Sequence, residues 1–165
     1  MKKAILALGS NLNLNDRLNN LKNAISFLKN VPDLKICKVS QIYETEPFEV
    51  PDKQNNYYNC CILIQTNLSP FILLGACLGV EAAMGRKRPF KNASKIIDID
   101  LIYYQGEKCD DKNLTLPHPR AKDRPFVLLP ILDILSNTDP LREKIESYLR
   151  NLDVSGIKRV IKTSL

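Results

Sequence analysis

Hydrophobic positions recur along this chain with two periods, and the order in which those periods alternate predicts its architecture. Residues 3–8 form a short apolar run that reads as a buried central strand. Leu18, Leu21, Ile25 and Leu28 follow at helical spacing behind the cap candidates Asn15 and Asp16, predicting a helix over 15–29. Residues 34–43 alternate as a second strand, with a slip around Lys38 that points to a bulge. Tyr57–Thr66 is a third strand, with Tyr57, Asn59 and Cys61 on one face. Ser69 and Pro70 supply an N-cap and a first-turn proline for a second helix. Leu73, Leu74, Cys77, Leu78 and Met84 fill its buried side, and Gly85 stops it. Residues 97–104 make the fourth strand. Residues 124–135 read as short helical turns interrupted by Pro130, Asp139-Pro140 opens a helix to about Arg150, and 157–162 is a late edge strand.

The order strand, helix, strand, strand, helix, strand is that of a ferredoxin-like α+β domain. Its helices are expected on one face of the sheet, with a C-terminal helical and strand elaboration. A length of 165 residues suits one domain over 1–165. Two connections, 44–56 and 86–96, are longer than a compact domain needs, and such loops are more often functional than idle.

Composition narrows the class. The chain is 44% hydrophobic and 25% charged, as expected of a globular domain. No apolar run approaches the ~18 residues of a membrane span, and the first apolar run ends in Gly9-Ser10-Asn11 rather than continuing as a secretory signal. A cytoplasmic location is the expectation. Five cysteines at irregular spacings form no C-x-x-C pair, and the single histidine, His118, is remote from them in sequence. They read as reduced packing residues rather than zinc ligands or disulfides, with Cys109, between polar neighbours, the candidate exposed thiol.

The net charge of +6 is localised: Arg86, Lys87, Arg88, Lys91 and Lys95 carry +5 of it, and the other 19 basic residues nearly balance 18 acids. Directly after this cluster come Asp98 and Asp100, spaced i, i+2, so a strand there projects both from one face. Cations beside paired carboxylates suit a polyphosphate carried with Mg²⁺, the carboxylates meeting the metal and the cations meeting phosphate oxygens. A basic loop concentrated in one place favours a small polyanion over nucleic acid. Two other classes stay open at this point: an RNA-binding module on the same fold, and a regulatory domain that binds a ligand without chemistry. The first lacks a Gly-aromatic-Gly-aromatic stacking strand, and the second leaves the two aspartates unexplained.

Seven short motifs occur in a fixed order. They are Ala7-Leu8-Gly9-Ser10-Asn11-Leu12, Ser40 with Tyr43-Glu44-Thr45-Glu46-Pro47, Tyr57-Tyr58-Asn59, and Glu81 with Gly85-Arg86-Lys87-Arg88. Ile97-Asp98-Ile99-Asp100-Leu101, Leu116-Pro117-His118-Pro119-Arg120 and Arg124-Pro125-Phe126-Val127-Leu128 follow. Together, from about residue 4 to residue 134, they resemble the 6-hydroxymethyl-7,8-dihydropterin pyrophosphokinases, folate-pathway enzymes. The resemblance implies transfer of a pyrophosphoryl group from ATP to the pterin hydroxymethyl oxygen, leaving AMP. It implies two Mg²⁺ ions on Asp98 and Asp100, and small-molecule partners without nucleic acid or membrane, the chain acting as a monomer.

By the same resemblance Arg86 and Arg88 join the two aspartates in the catalytic set. Glu81, Lys95, Asn113, Thr115, His118 and Arg124 join Arg88 on the nucleotide, although Glu81 could pair with the neighbouring arginines instead. His118 is expected to donate to phosphate rather than act as a base. Tyr57 and Phe126 would clamp the pterin ring, with Asn59, Gly9 and backbone near Thr45, Pro47 and Phe48 on its edge. Ser10 and Asn11 are expected to shape the first turn. The chain departs from the pattern in one place. Where many relatives carry a tryptophan followed by Gly/Ser-Pro-Arg, it has Asn92-Ala93-Ser94-Lys95 in a loop one residue shorter, and Phe90 is the expected aromatic replacement.

Overall fold

The computed structural model describes residues 1–13, 15–47, 50, 52–87, 89–90 and 92–160. Its centre is β1 (Lys2–Ser10), flanked by β4 (Tyr57–Thr66) and β5 (Asp98–Tyr104). Beyond β4 lie β2 (Leu34–Val39) and β3 (Ile42–Thr45), and β8 (Lys158–Val160) closes the β3 edge. Every pairing is antiparallel, which gives the ferredoxin-like α+β arrangement read from the sequence.

Alternation along the central strand assigns its two faces. Ala4, Leu6 and Leu8 pack with α1 (Arg17–Lys29) and α2 (Pro70–Ala83) through Leu21, Ile25, Leu73 and Cys77. Ile5 and Cys61 meet the opposite layer, formed by α3 (Pro125–Ile134) and α4 (Pro140–Leu149). The first two helices thus share one face as expected, and the C-terminal elaboration covers the other. No helix among the described residues is long and apolar enough to cross a membrane.

Most boundaries follow the local chemistry. Ser69 accepts a hydrogen bond from the Ile72 N–H at the start of α2, Asp139 does the same for Leu141 in α4, and Gly85 ends α2 at φ +79°. The expected strand over 34–43 is two strands, because the chain leaves the ladder at Ser40 and Gln41; the bulge lies between Ile36 and Lys38. Pro130 does not interrupt the 124–135 segment. It sits inside the continuous helix α3, whose buried Val127, Leu128, Ile131 and Ile134 outweigh one lost backbone bond. A hairpin, β6 (Cys109–Asp111) with β7 (Leu114–Leu116), was not expected. Cys109 within it is half-buried, and Cys37 is the exposed thiol instead. Burial pushes the thiols of Cys60 and Cys77 up to about 12, as suits packing residues. The described part of the late edge strand is β8, and residues 161 and 162 lie outside the described residues.

Candidate active site

Three strands build the floor of a cleft on the α3 side of the sheet. In the register Gly9 stands between Asp98 on β5 and Asn59 on β4, and in the next row Ala7 stands between Asp100 and Cys61. Strands lie about 4.8 Å apart, so the carboxylate and the amide flank β1 at roughly 10 Å. The small side chains between them leave the floor open. Ile99 and Leu101 alternate with the two aspartates and are buried in the α1/α2 core, so the strand presents its acids to the cleft and its apolar residues to the interior. The irregularity between Ile5 and Leu6 leaves Ile102 unpaired with β1, so the alternation of β5 slips there and Ile102 and Tyr103 both pack on the α3 side.

Two cavities share this floor. Gly9, Thr45, Val50, Tyr57, Asn59 and Phe126 line the first, and Arg86, Lys87, Phe90, Ala93 and His118 line the second. Asn92, Lys95, Asp98, Asp100, Arg120 and Arg124 border both. The first has aromatic walls and an amide. Asn59 Nδ2 donates to Thr45 Oγ1 at 2.7 Å, which fixes which edge of the amide faces inward. Burial, with the charge of Asp98 nearby, pushes the Tyr57 phenol up to about 12, so it stays neutral.

The two carboxylates differ sharply. Asp98 Oδ1 accepts from Arg86 Nη1 at 2.8 Å and Oδ2 from Lys95 Nζ at 2.7 Å. Burial alone would raise its carboxyl, but Lys95 and then Arg86 outweigh it and hold Asp98 below its ordinary range. Asp100 has Arg124 Nη1 at 3.7 Å as its one ion-pair partner among the described residues. Burial, and then the charge of Asp98, push it above the usual carboxylate range. Burial lowers His118, with Arg124 and Arg120 adding to the effect against Asp100, so the ring is neutral at pH 7. His118 Nδ1 is buried without a partner among the described residues, a polar atom left for a ligand to satisfy.

Several expected site residues take other places. Glu81 does not face the cleft. It is 3% exposed, accepts the Ile99 N–H at 2.7 Å and lies 3.7 Å from Arg86 Nη1, so it fixes β5 and Arg86 from beneath. Arg86 borders the second cavity, yet its guanidinium is committed to Asp98, Glu81 and the Ile97 carbonyl. Asn113 sits exposed at the β6–β7 turn, its N–H on Asp111 Oδ1, and Thr115 bonds the Asp111 carbonyl. Neither of these two lines a cavity. Pro47 lies beside the first cavity's Thr45 and Glu46 without lining it. Phe90, half-exposed, borders the second cavity and not the aromatic slot of Tyr57 and Phe126. Arg88 and Phe48 lie outside the described residues.

Sequence reasoning missed two supports. Arg17 stacks 3.8 Å over the Tyr58 ring and donates to Glu44 Oε1 at 2.9 Å and to the Asn56 carbonyl at 2.8 Å, pinning the start of β4. Asn11 does more than shape its turn. Its Nδ2 donates to Gln54 Oε1 at 2.9 Å and its Oδ1 accepts the Lys95 N–H at 2.7 Å, while Gln54 Nε2 donates to the Asn92 carbonyl at 2.8 Å. The two long loops are therefore tied together through one buried amide. Asn92 takes φ +61°, a conformation asparagine tolerates and bulky residues resist, which accounts locally for its place in the shortened loop.

An antiparallel α+β sheet that sets two carboxylates between a planar slot and a cationic chamber is the arrangement of a phosphate-transferring enzyme. Residues 5–136 match the family described as 7,8-dihydro-6-hydroxymethylpterin-pyrophosphokinase. The chain belongs to that family. It is 37% identical over 160 residues to the 2-amino-4-hydroxy-6-hydroxymethyldihydropteridine pyrophosphokinase of Methylorubrum extorquens, covering 97% of this chain and 99% of that protein. The Bacillus subtilis protein of the same name is 35% identical over 136 residues, 82% of this chain and 80% of that one. A crystal structure of Plasmodium falciparum HPPK-DHPS matches in fold with a TM-score of 0.64 over 96% of this chain at 19% identity. The chain spans 47% of that longer protein.

Proposed function

We propose that this chain, working as one domain over 1–165, transfers the pyrophosphoryl group of ATP to 6-hydroxymethyl-7,8-dihydropterin in folate biosynthesis. The pterin hydroxyl oxygen bonds to the β-phosphorus, the bond from that phosphorus to the α–β bridging oxygen breaks, AMP leaves with the electron pair, and the hydroxyl proton is released to water. The observation that carries the reading is the position of Asp98 and Asp100, side by side on β5 at the junction of the two cavities. The pterin takes the aromatic slot, between Tyr57 and Phe126 and against the Asn59 amide. The triphosphate takes the cationic chamber, where Arg124 and Arg120 border the junction and neutral His118 has an unsatisfied ring nitrogen.

Asp98 and Asp100 fit Mg²⁺. No group of three or more metal-ligating side chains exists among the described residues, but Mg²⁺ keeps several waters and takes phosphate oxygens, so two carboxylates suffice. Bound there, the ions supply charge stabilisation to the attacking and departing oxygens. The protein's own part is orientation and exclusion of water: Asn11 links both long loops across the junction, so ordering one orders the other.

Incubation with ATP, Mg²⁺ and the hydroxymethyl pterin should yield AMP one-for-one with pterin diphosphate. ADP as the product rejects the reading. The aromatic slot has its own test. A Cβ on Gly9 would stand 3.0 Å from Asn59 Oδ1 and 3.5 Å from Tyr57 Cδ1, so Gly9→Ala must displace the pterin-facing amide. We expect KM for the pterin to rise roughly tenfold with KM for ATP little changed. Equal effects on both substrates would move the pterin out of that slot. Phe90→Ala should do the reverse, raising KM for ATP and sparing the pterin, because Phe90 borders only the second cavity.

A further inference from the structure

A carboxylate expected to receive a divalent cation is here already capped by a monovalent one. Lys95 Nζ lies 2.7 Å from Asp98 Oδ2, and Arg86 Nη1 lies 2.8 Å from Oδ1, so both oxygens of Asp98 are occupied. Among the described residues Asp100 has no such cap, its ion-pair partner Arg124 standing at 3.7 Å. An Mg²⁺ ion would sit about 2.0–2.1 Å from its oxygens, so at Oδ2 it would compete with the ammonium for the same negative charge.

The two caps are not equally able to leave. The Arg86 side chain is 6% exposed and shares its guanidinium with Glu81 and the Ile97 carbonyl, so withdrawing it takes a cation from buried Glu81 as well as from Asp98. The Lys95 side chain is 20% exposed and lies on the cleft side, bordering both cavities. Its backbone, by contrast, is fixed. The Lys95 N–H donates to Asn11 Oδ1 at 2.7 Å, and its carbonyl accepts from the N–H groups of Asn11 and Leu12 at 3.0 and 2.9 Å. An anchored Cα with a flexible four-carbon stem is a swinging charge on a fixed pivot.

Resting on the reading of Asp98 and Asp100 as the metal-holding pair, we propose that Lys95 is a built-in stand-in for the divalent cation. Its ammonium caps Asp98 Oδ2 in the ligand-free protein. When metal arrives with nucleotide, the ammonium leaves Oδ2 and turns about its anchored Cα to the phosphates in the adjoining cavity. Two consequences follow. Metal alone competes against Lys95 and binds weakly. Metal with nucleotide binds strongly, because the displaced ammonium gains a polyanion in exchange for one carboxylate oxygen.

The test is Mn²⁺ binding to the whole chain, read without nucleotide from the loss of the free-ion paramagnetic resonance signal, and with a non-hydrolysable ATP analogue from the enhanced water-proton relaxation of protein-bound Mn²⁺, which sets it apart from the Mn²⁺–analogue complex in solution. Without nucleotide, Lys95→Met should bind Mn²⁺ at least roughly tenfold more tightly than the unaltered protein, since a unit charge in contact with the ligand oxygen has gone. With the analogue that gain should vanish, and the analogue's own affinity should fall. Lys95→Arg, which keeps a cation on the same anchor, should restore weak binding of metal alone. Equal Mn²⁺ affinities of the unaltered protein and Lys95→Met, or no binding to either, overturns the stand-in. The parent reading fails by a different result: Asp98→Asn binding Mn²⁺ with the analogue as tightly as the unaltered protein.

Discussion

Replacing Asp100 by asparagine is expected to abolish pyrophosphoryl transfer and at the same time leave the ligand-free protein slightly more stable. The first effect follows from the metal reading. An amide is a poor partner for a divalent cation, and loss of several kcal/mol of charge stabilisation lowers turnover by roughly 10³-fold or more. The second follows from the fold. Burial and the adjacent charge of Asp98 raise the Asp100 carboxyl, so ionising it costs the empty protein free energy. Two-fifths of the Asp100 side chain is open to solvent, and screening keeps the gain on substitution below about 1 kcal/mol.

The sign gives a pH signature. A carboxyl whose folded value lies above its unfolded value contributes stability below the unfolded value and loses it as pH rises through the folded one. The advantage of Asp100→Asn should therefore grow between about pH 4 and neutrality, read as the difference in Tm without metal or nucleotide. Asp98 behaves oppositely. Its folded value is depressed, so its contribution is present at neutral pH and fades as acid protonates it. Asp98→Asn should cost about 2 kcal/mol, because it leaves Arg86 and Lys95 facing a neutral amide. Both variants should be inactive, and only one destabilised. Matching Tm shifts in the two would mean that the unequal capping of these carboxylates carries no energy.

What the sequence made legible, and what it hid, divides along a physical line. The strands and helices carrying the cleft are written in local periodicity and end signals: the alternation around Asp98 and Asp100, Ser69-Pro70, and the Gly85 stop. The facing of Tyr57 and Asn59 follows from the same two-residue period. Glu81 has two readings in the sequence, nucleotide or neighbouring arginine, and its place 3.7 Å from Arg86 Nη1 depends on how α2 lies against β5, a relation no local pattern encodes. Asn113 and Thr115 sit in a hairpin whose register turns the segment away from the cavities. Arg17 and Asn11 hold distant segments together by hydrogen bonds between residues 39 and 43 positions apart, and nothing in either residue's neighbourhood announces its partner. Phe90 is expected over the pterin on chemical type alone, and the loop sets it at the second cavity.

The largest effect on stability is expected from Arg86→Ala. Arginine at this position resembles a phosphate-contacting residue, yet its side chain is 6% exposed and joins Glu81, itself 4% exposed, to Asp98. Truncation takes the Arg86 cation away from a buried glutamate that also holds the Ile99 N–H, and removes one of the two cations on Asp98 among the described residues. Breaking a buried charge network by removing one member costs about 3–5 kcal/mol, a large part of the ~5–15 kcal/mol that keeps a domain folded. Arg86→Lys keeps the charge on a side chain one bond shorter, which must reach the place of Nη1, the nitrogen that makes all three contacts, and should recover less than half of the loss. Glu81→Gln, which retains an acceptor for Ile99, should be milder than Arg86→Ala. Urea midpoints measure all three. If Arg86→Ala unfolds at the same urea concentration as the unaltered protein while losing turnover, then the guanidinium works on the phosphates and not on the fold, and the assignment of Arg86 as the residue that positions Asp98 fails.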